Sequence, residues 1–203
     1  MKLLKNPTSP FARIAHAALI EAGIEELEIQ AVDPWADEAE LLSANSAGRV
    51  PCLVLDDGTA ITECLLIAAF AERQGKGAGI LATSDPKSLA VAGIGIGVCD
   101  AAVQILIGRR IVSGDFADRT FDANPIAARR RRSVADGLTR LDAMVADAPA
   151  ERLDIGTLAA VTALDYIELR FPGAEWIPAT PRLSALREQP ADRPALAATR
   201  PPL

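Results

Sequence analysis

The chain has one histidine, three cysteines and no surplus of positive charge, and each shortage narrows the possible functions. With His16 alone, Ser-His-Asp chemistry is excluded unless that residue is the base, and most imidazole metal sites go with it. Cys52, Cys64 and Cys99 are odd in number and form no CxxC pair, so structural disulfides and zinc are not expected and a reducing compartment fits. The formal net charge is −6. It is uneven: residues 1–74 carry 5 Lys+Arg against 12 Asp+Glu, and the remainder 16 against 15. An acidic chain without clustered cations is a poor binder of nucleic acid, whose phosphates must be neutralised. The first residues, Met1-Lys2-Leu3-Leu4-Lys5-Asn6-Pro7, lack the long apolar run of a secretory leader, and a cytoplasmic location is expected.

What is present is ordinary globular material, 50% hydrophobic and 24% charged, in 203 residues. Leu3-Leu4 opens a short strand. Ser9 is a good N-cap, Pro10 suits the first helical position, and Phe11, Ile14, Ala15, Ala18, Leu19 and Ala22 repeat at helical spacing before Gly23. Residues 27–32 alternate like a strand, and 33–42 read as a short irregular helix. Val50-Pro51 precedes the apolar strand 52–55, Asp56-Asp57-Gly58 is a hairpin turn, 59–62 return, and a helix runs from Glu63 to about Arg73. The order is βαβ, a hairpin, then α.

Beyond Gly75 the character changes. A Gly-rich stretch and Thr83-Ser84-Asp85-Pro86 read as a linker, and no later segment reads as a strand. We therefore expect an α/β domain over residues 1–75, a linker over 76–85 and an all-helical domain over 86–203. From Ser88 to Gly108 the only charge is Asp100, so length alone permits a membrane span. A carboxylate at the centre costs insertion about 2.5–3.5 kcal/mol, and the reading is a buried helix of a bundle, with no membrane partner. Gly93, Gly95 and Gly97 in this helix suggest close helix packing or a bend, since no strand precedes them to make a dinucleotide fingerprint. Arg129 to Arg132 point around a second helix as a solvated face, with pairs such as Arg132–Asp136. Asp154 caps a third, apolar almost all round and so central. Trp35 and Trp176 read as locally packed, Lys5 as solvated, and His16 as exposed or at an interface. Asp100 is a candidate for contact with a substrate or a second subunit.

The candidate chemistry lies in the first 75 residues. Thr8-Ser9-Pro10 offers a hydroxyl beside a helix N-terminus, which favours an anion such as a thiolate; it is also simply a capping sequence. Glu63-Cys64 opens a helix with a carboxylate and a thiol, where a glutamate also stabilises the first turn.

Pro7-Thr8-Ser9-Pro10-Phe11-Ala12-Arg13, Asn45-Ser46-Ala47-Gly48-Arg49-Val50-Pro51-Cys52-Leu53, Asp57-Gly58 and Thr62-Glu63-Cys64-Leu65-Leu66-Ile67 together make residues 3–73 resemble the thioredoxin-like domain of the cytosolic glutathione S-transferases. The second half is also similar: Asp154 and Thr157 stand, with polarity swapped, where that family has a Ser/Thr-x-x-Asp capping motif. The resemblance implies glutathione as co-substrate and a small apolar electrophile as second substrate, taken in a pocket of the helical domain, in a homodimer. It implies a cis Val50–Pro51 bond with Val50 pairing its backbone to the cysteinyl part of glutathione. It places Glu63 at the γ-glutamyl ammonium, Cys64 at the γ-glutamyl carboxylate, and Arg49 at a carboxylate. Ser9 would face the thiol, with Thr8 as alternative. Position 64 is usually Ser in that family, and a thiol is a weaker donor than a hydroxyl. Two other readings follow: a binding protein of the same fold with little catalysis, and a thiol oxidoreductase working through Cys64 or Cys52.

Overall fold

The computed structural model describes residues 1–76, 80–147, 153–188 and 193–201. Four strands form one sheet: β1 Lys2–Lys5, β2 Glu28–Ala31, β3 Cys52–Val54 and β4 Ala60–Thr62, in spatial order β2-β1-β3-β4. β1 and β2 run parallel through the crossover helix α1 (Pro10–Glu21), while β1–β3 and β3–β4 are antiparallel. β1 alternates as the pleat demands. Leu3 joins the core beneath α1 and α3 (Cys64–Gln74); Leu4 joins a smaller cluster with Val32, Leu41 and Cys52 on the other face. The irregular helix expected over 33–42 is shorter and later: α2 is Ala39–Ala44, and Asp33 makes an Asx turn onto the Trp35 N–H at 2.9 Å instead.

The helical part comprises α4 Pro86–Ser113, α5 Pro125–Met144, α6 Ile155–Arg170, α7 Pro181–Glu188 and α8 Pro194–Ala197, and no strand occurs after β4 among the described residues. Caps follow the sequence. Asp85 accepts from Ser88 N, Asn124 from Ile126 N and Asp154 from Thr157 N, each with its side chain. α6 is buried nearly all round, as its composition requires. α4 is the one described helix long and apolar enough, by length and composition, to cross a membrane. Here α5 and α6 pack along it, and Asp100 lies exposed, accepting from Gln104 at 2.8 Å. The arginine run differs from its simplest reading. No Arg132–Asp136 pair forms among the described residues; Arg131 Nη1 instead donates to the Asp122 carbonyl at 2.8 Å.

The two parts share one apolar core. Leu153, Ile155, Leu158, Ala159 and Val161 belong to the same buried cluster as Leu3, Ile14, Ala18 and Ile67. Alanines on α1 let it approach α3 on one side and α6 on the other. Arg13, nearly fully buried, closes the seam through a 2.6 Å contact between its Nη1 and Asp165 Oδ2.

The three glycines of α4 do different things. A Cβ on Gly95 would stand 2.8 Å from the Ala159 backbone, so close packing on α6 explains that one. Gly93 and Gly97 have no atom within 4 Å of an added Cβ, and helix packing within the chain does not require them. In urea unfolding, Gly95→Ala should lose about 1–3 kcal/mol of stability through overpacking. Gly93→Ala should lose none.

Candidate functional site

The register of the sheet brings the sequence candidates to one end. Parallel β1 and β2 both finish there, at Lys5 and Ala31, and antiparallel β3 begins there, with Cys52 opposite Leu4 and Thr62 of β4 opposite Cys52. Four connections therefore open on one edge: Thr8-Ser9 after β1, Trp35 after β2, Val50-Pro51 before β3 and Glu63-Cys64 after β4. The Val50–Pro51 peptide bond is cis.

Asn6 organises the first two connections. Its Oδ1 accepts from both the backbone N–H and the hydroxyl of Thr8, each at 3.0 Å, and its Nδ2 donates to the Val32 carbonyl at 3.5 Å. The Thr8 proton is thus committed inward. Ser9 differs: its Oγ accepts from Ala12 N at 3.2 Å, the N-cap bond, which leaves its O–H free to donate outward. The sequence offered both hydroxyls; the hydrogen bonding separates them.

Glu63 sits at φ +67°, left-handed backbone that a non-glycine residue adopts at a cost of about 1–3 kcal/mol. That conformation turns the chain from β4 into α3 and leaves the Glu63 side chain exposed. Its Oε1 accepts from Arg49 Nη2 at 2.8 Å. Both partners are mostly exposed, so the pair adds little stability. Arg49 and Glu63 are therefore brought together, each at hand for a ligand group of opposite sign.

Cys64 points the other way. Its side chain belongs to the main core cluster, and burial first, then the Glu63 carboxylate, pushes its thiol up to about 12. Burial also raises Cys52, and all three cysteines are free and buried. A reactive cysteine needs a stabilised thiolate, and neither Cys52 nor Cys64 has one. Among the described residues no cluster of three His, Cys, Asp or Glu could hold a metal ion.

Residues 8–74 match the family model described as the glutathione S-transferase N-terminal domain. Over its full length the chain is 27% identical to an uncharacterized GST-like protein of Escherichia coli (strain K12), YibF, covering 99% of that protein. A Methylobacterium radiotolerans glutathione S-transferase, solved in complex with glutathione sulfonate, superposes with a TM-score of 0.85 at 26% identity, covering 100% of this chain and 95% of that one. A Pseudomonas fluorescens glutathione transferase family member with bound glutathione gives 0.81 at 27% identity, with coverage of 100% and 99%. Residues 8–74 thus resemble a glutathione S-transferase N-terminal domain, and the whole chain shares the fold of these solved glutathione S-transferases.

Two features lie beyond the sequence reading. Trp35 is not locally packed: its ring meets Phe116 of the helical part edge-on at 6.1 Å, with the Arg110 guanidinium 4.8 Å from its centroid. A tryptophan in a polar connection just after a strand was the available signal. Trp176 does pack locally, 5.3 Å from Phe171. Lys5 is not solvated: it is half-buried, and its Nζ lies 3.2 Å from His16 Nδ1. Burial, then the nearby Arg13 charge, lowers Lys5; burial, then Lys5, lowers His16 to about 4.

The neutral His16 ring accepts from the Lys5 ammonium, and protonation would replace that bond with two facing cations. Because its folded pKa lies below the ordinary 6.5, this contribution is whole above pH 6.5 and is lost as pH falls toward 4. Urea unfolding should show His16→Gln removing about 1 kcal/mol of the stability lost across that window, a figure discounted for the ring's partial exposure.

Proposed function

We propose that the protein is a glutathione transferase that adds the thiol of glutathione to a small electrophile. The observation that carries this reading is the free Ser9 hydroxyl at the N-terminus of α1, on the sheet end that also holds the cis Val50–Pro51 bond and the Arg49–Glu63 pair.

The chemistry asked of the protein is modest. A free thiol has a pKa of about 8.5, so at neutral pH only a small share is the nucleophilic thiolate. A hydroxyl donor and the positive end of a helix both favour the anion, without a general base. Ser9 supplies the first and α1 the second. The Val50 backbone beside Pro51 would take the peptide edge of glutathione. The Glu63 carboxylate would hold the α-ammonium, and Arg49 would hold a carboxylate when its contact with Glu63 opens. With the Cys64 side chain turned into the core, the γ-glutamyl carboxylate is left to the N–H groups at the start of α3. The thiolate would then attack the electrophilic carbon, forming a C–S bond as the leaving group departs or the double bond accepts the electron pair.

The second reading, a glutathione-binding protein with little turnover, draws on the same feature: no hydroxyl at position 64 faces the ligand. A cytoplasmic location fits the three free thiols. A homodimer would cover exposed Leu66 on α3 and Leu89 on α4, and sedimentation of a single-chain mass would sink that part.

Calorimetry with glutathione should give micromolar to millimolar affinity, weakened at least about tenfold by Glu63→Ala, the scale of a charge-assisted contact. Ser9→Ala should lower kcat/KM about 100-fold, the scale of one lost oxyanion donor, with glutathione affinity nearly kept. Thr8→Val should cost far less. Binding without turnover favours the second reading; absence of binding defeats both.

A further inference from the structure

Arg109 and Arg110 are neighbours on α4 with opposite fates. Arg109 is buried, and its Nε and Nη2 grip Asp122 as a fork at 2.8 and 2.6 Å. Its Nη1 also donates to the Phe116 carbonyl at 3.3 Å. The segment after α4 is thereby held, and the Phe116 ring with it. Arg110 turns outward and is half-buried, its guanidinium 4.8 Å from the Trp35 centroid and 5.2 Å from that of Phe116. Among the described residues it makes no ion pair and no side-chain hydrogen bond.

Two aromatic neighbours, one from each part of the molecule, fix the plane of this guanidinium while leaving its N–H edge without an acceptor. A planar fork so held has already lost the rotamer freedom that a flexible cation gives up on binding. Its place is set by a short chain of contacts from the reaction centre: Thr8 to Asn6, Asn6 to Val32, Val32 through the Asp33 turn to Trp35, and Trp35 to Arg110. The glutathione contacts assigned above lie on the sheet side of that edge. Arg110 approaches from the helical side, where an electrophile would enter.

Resting on the transferase reading, we propose that Arg110 is a specificity residue that recognises a carboxylate on the second substrate, so the electrophile is a small anionic molecule rather than a purely apolar one. Trp35 and Phe116 are positioning residues for it. This revises the apolar electrophile expected from the sequence.

The test compares three ligands by calorimetry: glutathione, S-propylglutathione and S-(2-carboxyethyl)glutathione, which differ only in what the sulfur carries. The wild type should bind the carboxyethyl conjugate about tenfold or more tightly than the propyl one, the scale of a charge-assisted hydrogen bond. Arg110→Gln should abolish that preference while changing the affinities for glutathione and S-propylglutathione less than twofold. Arg110→Lys keeps the charge without the fork and should lose most of the preference. A wild type that binds all three ligands without preference overturns the proposal alone, as does a preference that survives Arg110→Gln. An equal loss for all three ligands in Arg110→Gln also overturns it, because the residue would then serve glutathione itself. A wild type that binds none of the three defeats the transferase reading, and this proposal with it.

Discussion

Helix α1 is covered on both sides, and the rest of the molecule is arranged around that constraint. One face lies on α3, the other on α6 and α8, and small alanines allow the close approach. A helix so enclosed cannot shift its N-terminus without breaking two interfaces. Ser9, which caps that N-terminus, therefore has a fixed position relative to both parts of the chain. The Arg13–Asp165 contact adds directionality to an otherwise non-directional seam. An ion pair this deep gains little net stability over an apolar pair, yet removing one partner strands a buried charge.

The same enclosure divides the hydroxyls and thiols into two populations. Turned inward are Thr8, tied to Asn6, and the three buried cysteines. Ser9 and Arg110 present polar hydrogens outward, while Arg49 and Glu63 pair with each other on the surface. Only the outward-facing groups are available for recognition, and they surround one edge of the sheet.

Much of the fold was legible in the sequence because its signals are local. Ser9-Pro10 and Asp154 mark helix starts by capping chemistry; Asp56-Asp57-Gly58 marks the hairpin; the alternation in 27–32 marks β2; Asp85-Pro86, read as linker, caps α4 by the same chemistry. The motifs around Val50-Pro51 and Glu63-Cys64 pointed to one site, and the register explains why they meet. What the sequence hid depends on contacts between distant residues. Trp35 and Phe116 are 81 positions apart, and no periodicity links them. Lys5 and His16 face one another because β1 lies under α1, and either alone reads as a surface residue. Gly93 and Gly95 differ only in which face of α4 meets α6.

The central claim is that Ser9 and the α1 N-terminus stabilise a thiolate, and the bound thiol's own titration reads it most directly. The protein's three thiols are silent background, since burial raises Cys52, Cys64 and Cys99 alike. Ultraviolet absorbance of the thiolate, followed against pH with saturating protein over glutathione, gives the pKa of the bound ligand. The account predicts a value at least about one unit below the free thiol's, returning most of the way in Ser9→Ala. A bound thiol that titrates like the free one, or a depression that Ser9→Ala leaves intact, would contradict it.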